Sequence, residues 1–581
     1  MRISTYEIIL PLTGRDDKKI RGKTLLINGL YGAMDVVDEG IADLLEKGDL
    51  SAVPFEVRER LASRGHITRR DEEGELADAL LLGRIWNRLI GYVSVEPVIL
   101  PTYDCNFRCP YCFERHRLTR GNEWLGRRMT KEMAEAVFAA LQKQRDKGRK
   151  VEGIVLYGGE PLLKENRETV KNICEHAKAM GLDISCVTNG YDIDSFIDIL
   201  EEYGFTELQI TVDGVGEQND RRRLHRDGVP TYDRIMQNIV LALKHGVEVR
   251  LRVNVNADNI GGIGTLIDDL KERGLARAPF EESGKAGFSY YFKAVSEDAG
   301  SPTKVTEQQV MDAILASGIP PLEAVEKQSQ YMMFWQGLHS AMKKEGFPDF
   351  STAYCGAEQG MICIGPDGML YSCWDHVAME ERAVGFTDTE AGRFVFNFEK
   401  AKWRTRRSDL MESCRTCPYI FICRGGCALE AEKAHASCFS EFCGETKEIF
   451  AYVASRAAGK KWEEEKTDEL SVSLSGPLSR LTQKERDILM TTHSQREMFD
   501  IIKDAGIFFT TGRYIDNGKH LVENIKDCEN HTIRRQNMNI SPLQKARYDY
   551  KPKLPGMLRG GISQICVRDG APTESVADQD K

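Results

Sequence analysis

From Val98 to about Val295, short runs rich in β-branched and aromatic residues alternate with amphipathic stretches of helical period. No other feature of the chain constrains its fold as much. The pattern predicts strands at Val98–Thr102, Gly153–Tyr157, Asp183–Thr188, Glu207–Val212, Glu248–Asn254 and Phe288–Ala294. Helices are expected at Thr130–Arg145, Arg167–Met180, Asp194–Glu202, Thr231–His245 and Ile260–Arg273. Repeated βα units imply a parallel sheet covered by helices, an α/β fold. Six units are too few for an eight-stranded barrel, so a curved, partly open (βα)6 barrel is expected. Such folds collect their site residues at the C-terminal ends of the strands.

Cys105-Asn-Phe-Arg-Cys109-Pro-Tyr-Cys112 follows the first strand directly. Spacings of three and then two residues in a loop let three thiolates converge on one face. Three are one short of a filled iron–sulfur or zinc site. Without a fourth protein ligand, one iron keeps an open position for a substrate or cofactor. Zinc with a distant fourth ligand is the alternative, and His116 is the nearby histidine. The chain has 16 cysteines. Thr5 and Glu7 break any signal-peptide apolar core at the start, so a cytoplasmic protein is expected. Reduced thiols there serve more often as metal ligands or catalysts than as disulfides. Cys174, Cys186, Cys528 and Cys566 lie apart from the others and are expected as small buried hydrophobes.

The C-x3-C-x2-C loop, with an aromatic before its last cysteine, resembles the radical S-adenosylmethionine (radical SAM) superfamily. Other landmarks stand in the family's order, each at the end of a predicted strand. They are Gly158-Gly159-Glu160-Pro161, Thr188-Asn189-Gly190, the run from Gln209 to Asp213-Gly214, then Asn219-Asp220-Arg221-Arg222-Arg223, and Arg252-Val-Asn254. The resemblance covers about 98–295. It implies a [4Fe-4S] cluster on Cys105, Cys109 and Cys112 whose open iron is chelated by S-adenosylmethionine. One electron would then cleave the sulfonium to methionine and a 5′-deoxyadenosyl radical, which abstracts hydrogen from substrate. The resemblance also assigns cofactor contacts. Gly158 and Gly159 allow close backbone approach to the amino group, to which Glu160 offers a carboxylate. Thr211 and Arg223 would contact ribose and carboxylate, with Arg222 as the alternative arginine. Tyr111 would contact the adenine.

A second cysteine group follows. Cys355 is followed by twelve residues, Gly368, four residues and Cys373, and then by Cys414-x2-Cys417-x5-Cys423-x3-Cys427 and Cys443. This spacing resembles the SPASM extension of peptide-modifying radical enzymes. It implies two auxiliary [4Fe-4S] clusters. Cys355, Cys373 and Cys427 would hold the first, with Cys363 as candidate fourth ligand or the fourth site left open. Cys414, Cys417, Cys423 and Cys443 would hold the second, and Cys438 could exchange with Cys443. Structural zinc at Cys414–Cys427 is the alternative. Related sulfatase-maturing enzymes carry a general base directly after the cysteine matched by Cys373. Asp375 stands one residue further on and is the candidate here.

Residues 1–92 read as a small α+β accessory domain. Strands are expected at Ile3–Leu10, Thr24–Ile27 and His66–Thr68, and helices at Ala33–Leu45, Pro54–Ser63 and Ala77–Leu89. Residues 93–295 form the core, 296–354 a helical linker, and 355–459 the cysteine-rich SPASM domain, closed by a helix at Glu445–Arg456. Residues 460–581 read as a linker and a poorly ordered tail, with the charge run Lys460–Glu469 as solvated linker and one or two helices in Leu481–Asp504. Residues 538–581 resemble the extreme N-terminus of pyrophosphate-dependent phosphofructokinases. That likeness stops before any phosphate-binding loop, so no kinase activity is expected. A net charge of −10 argues against broad affinity for nucleic acid. No apolar run approaches the roughly 18 residues of a membrane-spanning helix. The resemblance therefore implies an oxidoreductase that modifies a peptide or protein, reduced by a flavodoxin or ferredoxin. A ribosomal peptide maturase forming a thioether or another cross-link leads, with 1–92 helping to hold a leader sequence. A sulfatase maturase making formylglycine is the alternative, and a non-catalytic zinc-binding regulator the distant one.

Overall fold

The computed structural model describes residues 1–12, 22–89, 94–275, 287–298, 300–342, 351–465, 471–472, 481–492, 497–498 and 501. All of them belong to one compact unit, Met1–Glu523. The phosphofructokinase-like stretch 538–581, Cys528 and Cys566 lie outside the described residues.

Sixteen strands are described: β1 (Arg2–Ile3), β2 (Glu7–Pro11), β3 (Lys23–Asn28), β4 (Met34–Asp38), β5 (Ile67–Thr68), β6 (Glu96–Ile99), β7 (Gly153–Leu156), β8 (Asp183–Thr188), β9 (Phe205–Thr211), β10 (Glu248–Val255), β11 (Phe288–Ala294), β12 (Met361–Ile364), β13 (Met369–Tyr371), β14 (Gly385–Asp388), β15 (Arg393–Phe396) and β16 (Ser471–Val472). The six strands expected between 98 and 295 are β6 to β11. They pair in sequence order and all in parallel. Their helix-facing residues, such as Leu208, Ile210, Leu251 and Val253, are buried, as helices over a parallel sheet require. The amphipathic helices Lys131–Asp146, Arg167–Ala179, Tyr232–Lys244 and Ile263–Glu272 cover them. The stretch expected as a helix at Asp194–Glu202 is a 3-10 turn, Ile193–Ser195, followed by the helix Ile197–Tyr203.

The cysteine-rich region continues this sheet. β12 pairs in parallel with β6, placing Cys363 opposite Val98, and β13 to β15 follow as an antiparallel meander. The resulting sheet has ten strands. Three helices bridge the two regions: Glu307–Ala316, Pro321–Lys327 and Ser329–Met342. Pro320 and Pro321 stand at the start of the second of these helices, where the missing proline N–H costs nothing.

The N-terminal region departs from its sequence reading in three places. Ala33–Leu45, expected as one helix, is β4 followed by the helix Glu39–Glu46. The Val36-Val37 pair is β-branched, and β4 forms a full ladder with β3. Ile3–Leu10 breaks into β1 and β2, because the Glu75 carboxylate takes bonds from Ser4 Oγ at 2.7 Å and Thr5 N at 2.9 Å. The helix expected at Ala77 begins at Glu72. Two more departures lie toward the C-terminus. The helix Thr446–Glu465 absorbs the start of the charge run at Lys460. The stretch Leu481–Asp504 contains the helix Gln483–Thr491, capped by a Thr482–Glu485 box. The N-terminal region also touches the cysteine-rich one: Tyr6 Oη donates to the Arg415 carbonyl.

Candidate active site

The three-cysteine loop leaves β6 and is held from two sides. Asp104 Oδ1 accepts from Cys105 N at 2.8 Å, and Thr102 Oγ1 accepts from Asp104 N at 3.2 Å. Across the loop, Arg108 N donates to Leu224 O and Arg226 N to Asn106 O, both at 2.7 Å. The segment after the arginine run thereby forms one wall of the loop. Phe107 N points at Cys105 Sγ from 3.3 Å, a donor that favours thiolate. The three thiols feel one another's charge, and burial first of all raises their pKa values, that of Cys112 to about 12. Arg223 opposes the rise at Cys109. Among the described residues, no three His, Cys, Asp or Glu side chains close on a single ion. Soft sulfur donors in mutual electrostatic reach fit an iron–sulfur body, which holds its thiolates further apart than one ion does.

The turn after β7 lies against this loop. Gly158 and Gly159 have φ of 75° and 54°, a conformation L side chains rarely adopt. A methyl on Gly159 would also strike the Asp104 carbonyl. Glu160 N donates to that same carbonyl at 2.7 Å. The Glu160 side chain is 2% exposed and fully engaged. Its Oε1 accepts from Leu162 N at 2.9 Å and Thr188 Oγ1 at 2.5 Å, and its Oε2 from Asn189 N at 2.6 Å. Burial lifts its pKa to about 7 despite these donors. Glu160 thus ties the ends of β7 and β8 together, and the turn presents backbone rather than carboxylate.

A third group closes the site. Tyr111 Oη donates to Asp213 and accepts from Arg223 Nη1 at 3.2 Å. Asp213 Oδ1 accepts from Asn254 N at 2.9 Å, linking the ends of β9 and β10. Thr211 is the buried last residue of β9. The two candidate arginines separate here. Arg222 is engaged by Asn256 Oδ1 at 2.6 Å and the Asn254 carbonyl at 3.2 Å, and lies over the Tyr111 ring. Arg223, 9% exposed, lies over the Phe107 ring, and the Nε of each arginine is buried without a hydrogen-bond partner. Sequence reasoning took Asp213 only as a landmark, although an acid directly after a strand end is a signal for such a role. A cavity of about 1070 Å³ opens beside Tyr111, lined also by Arg222, Asn256, Glu297 and, from the cysteine-rich region, Lys433.

Several members of the second cysteine group lie within electrostatic reach of one another. Cys355 feels the charge of Cys427, and Cys373 that of Cys355 and Cys363. Cys414 feels Cys423 and Cys417, and Cys423 feels Cys443. Burial is the first cause of the raised pKa in each, to about 12 for Cys355 and Cys414 and about 11 for Cys423. Cys363 is fully buried on β12. The strongest charge neighbours of Cys438 are Glu432, Arg382 and Arg406 rather than thiols. Asp375 approaches Cys373 Sγ at 3.8 Å, and burial raises its pKa against the pull of Lys433. The Trp374 ring meets that of Tyr157, just past β7, at 5.2 Å and a tilt of 32°. The cysteine-rich region therefore faces the barrel mouth.

Residues 99–272 match the model of the Radical SAM superfamily, so the chain contains a radical SAM domain. The Fe-coproporphyrin III synthase of Methanosarcina barkeri is 23% identical over 410 residues, 65% of this chain and 96% of that protein. The GTP 3′,8-cyclase of Aliarcobacter butzleri is 23% identical over 33% of this chain, which spans about half (54%) of the cyclase. The pre-heme d1 synthase of Dinoroseobacter shibae is 27% identical over 31% of this chain and 42% of its own. Among solved structures, native anSMEcpe with bound AdoMet gives a TM-score of 0.47 at 17% identity, over 64% of this chain and 100% of that one. Streptococcus suis SuiB bound to precursor peptide SuiA gives 0.43 at 15% identity, over 76% and 98%.

Proposed function

We propose that this chain is a radical SAM oxidoreductase that modifies a peptide or protein, a ribosomal peptide maturase. The observation that carries the catalytic part is one convergence. A loop of three cysteines, Cys109 buried and Cys105 and Cys112 partly so, a positive-φ glycine turn and Arg223 beside Tyr111 meet at the strand ends. Cys105, Cys109 and Cys112 would hold the [4Fe-4S] cluster. The backbone of Gly158–Pro161 would receive the amino group of S-adenosylmethionine, with Glu160 bracing the turn. Arg223 would take its carboxylate, Thr211 its ribose and Tyr111 its adenine. When bound, cluster and S-adenosylmethionine supply reductive sulfonium cleavage and hydrogen abstraction. The chain's own residues orient the cofactor and exclude water. Burial and the bracing by Asp104, Asn189 and Asp213 hold them in place before any cofactor arrives.

Cys355, Cys363, Cys373 and Cys427 are proposed for one auxiliary cluster and Cys414, Cys417, Cys423 and Cys443 for another. Asp375, beside Cys373, is proposed as the base that would take a proton from substrate. A flavodoxin or ferredoxin would be the reductant, and the cytoplasm the setting. Residues 1–92 are proposed as the peptide-holding domain, 93–295 as the core and 355–459 as the auxiliary-cluster domain. A second reading is a small-molecule substrate, favoured by the relatives named for Fe-coproporphyrin III and GTP.

Anaerobic incubation of the reconstituted chain with S-adenosylmethionine and dithionite tests the class. 5′-Deoxyadenosine should form, and Cys109→Ala should abolish it. Retained formation in that variant would reject the cluster assignment. Saturable binding of a candidate precursor peptide, lost when residues 1–92 are removed, would favour the maturase over the second reading.

A further inference from the structure

A lysine is almost never fully buried unless an opposite charge accompanies it. Lys400, on the helix Phe398–Thr405, is 3% exposed and is the one buried lysine among the described residues. Among those residues it forms no ion pair with a carboxylate. Its Nζ instead donates to the Met361 carbonyl at 3.0 Å and to Ser372 Oγ at 2.9 Å. Met361 opens β12, two residues before Cys363, and Ser372 stands directly before Cys373. Lys400 thus bridges the two segments that deliver these cysteines.

The charges nearest the ammonium are two cations and two thiols. In order of strength they are Arg404, Cys363, Arg149 and Cys355, so both groups of opposite sign are cysteines. For Cys363, in turn, Lys400 is the strongest charge neighbour, ahead of Glu114 and Asp375. Burial, then Arg404, bring the Lys400 pKa down to about 7, and the two cysteines oppose that fall. Cys363 feels Cys355, Cys373 feels both, and Cys355 feels Cys427. Four soft donors linked in this way fit a four-iron cluster, with Cys363, wholly buried on β12, as the fourth ligand. Four thiolates outweigh the charge of a four-iron core, so the group is a net anion and becomes more negative on reduction. A buried ammonium without a carboxylate of its own supplies the charge such an anion needs beside it.

We propose that Lys400 is the counter-cation of the auxiliary cluster on Cys355, Cys363, Cys373 and Cys427, a positioning residue that raises the reduction potential of that cluster. The inference rests on the auxiliary-cluster reading above. A fixed positive charge stabilises the reduced, more negative form more than the oxidised one. The dry surroundings of Lys400 strengthen that preference, because little water screens the charge. The ammonium binds no iron itself. It acts through its charge, and its bonds to Met361 and Ser372 hold that charge against the two ligand segments. A cluster so held is the better electron acceptor.

The test is a potentiometric titration of the reconstituted full chain with dithionite as electron donor, followed by electron paramagnetic resonance. Each cluster gives a one-electron wave. In Lys400→Met one wave is expected to move to lower potential by at least about 59 mV, a tenfold change in its reduction equilibrium, while the others stay in place. Lys400→Arg keeps the charge and should leave that wave near its wild-type position. An unmoved wave in Lys400→Met would overturn the proposal, as would an equal shift in Lys400→Arg or a shift shared by every wave. Should Lys400→Met lose iron, Lys400→Gln, which keeps a donor for the Met361 carbonyl, makes the same measurement. Iron loss in both would also overturn the proposal, since Lys400 would then serve assembly rather than potential. None of these readouts depends on turnover. Failure of the auxiliary-cluster reading shows separately, as a wild-type chain that holds only about four iron.

Discussion

Arg222 and Arg223 are neighbours in sequence and differ in what surrounds them. Arg222 is locked to Asn256 and the Asn254 carbonyl, whereas the Arg223 guanidinium donates to Tyr111 Oη, the residue beside the third cysteine of the loop. Arg223→Ala should weaken S-adenosylmethionine binding about ten- to hundredfold, the worth of one charge-assisted contact. Arg222→Ala should lower the melting temperature more than the affinity, and equilibrium dialysis beside thermal melts separates the two. A run of three arginines carries no clue to this division, because it depends on which side of a short helix faces Asn256. A second residue-scale case is His66, fully buried between Glu7 and Asp35 at 2.7 Å from each. Burial alone would lower its pKa, but the Glu7 charge, with Asp35, lifts it from 6.5 to about 9. A raised pKa stabilises the fold fully below pH 6.5, and that contribution is lost as pH climbs through about 9. Glu7, raised chiefly by burial, acts in the same direction, favouring the fold as pH falls. Melting temperature should therefore decline between pH 7 and about 9.5 in wild type and decline less in His66→Gln. His66 had been read only as the start of a short strand. The two carboxylates that surround it come from β2 and β4, which no local pattern links to it.

At the scale of the element, turn and loop depend on each other. Gly159 is needed twice, for its positive φ and for the Asp104 carbonyl packed against it. Gly159→Ala should displace the cysteine loop and lower the iron retained at the first cluster, read by iron analysis and the 420 nm region of the absorption spectrum at about half or less of wild type. The glycine pair was visible in sequence as a turn, but the partner it packs on was not. The tail shows the same limit. Thr482, Glu485 and the apolar spacing of Ile488 and Leu489 mark a helix, yet only the fold reveals that this helix packs on the helix Glu72–Leu89. Leu489→Ala should weaken that anchor by about 3 kcal/mol, the usual range for a buried leucine. Limited proteolysis should then cut the tail faster. Truncation after Lys460 would sever the helix Thr446–Glu465 and remove this anchor together with β16.

The molecule as a whole joins two cysteine-bearing regions through one ten-stranded sheet, with β12 laid beside β6. That continuity sets Cys363 and Asp375 toward the barrel mouth. Full reconstitution should give about twelve iron and twelve sulfide per chain, the content of three four-iron clusters. About four of each would leave only the barrel cluster, and zinc with little iron would remove the enzymatic reading. The six parallel strands, their order and the three-cysteine loop were legible in sequence, because hydrophobic period and short-range spacing are local properties. The joining of β12 to β6, the engagement of the Glu160 carboxylate, the different partners of Arg222 and Arg223 and the pairing of residues 471–472 with β4 were not. Each depends on which surfaces meet after the chain has folded back over hundreds of residues. Local sequence determines which elements form and where their glycines, caps and thiols fall. Burial and hydrogen-bond satisfaction between distant elements decide which polar groups are consumed by the fold and which remain for a ligand.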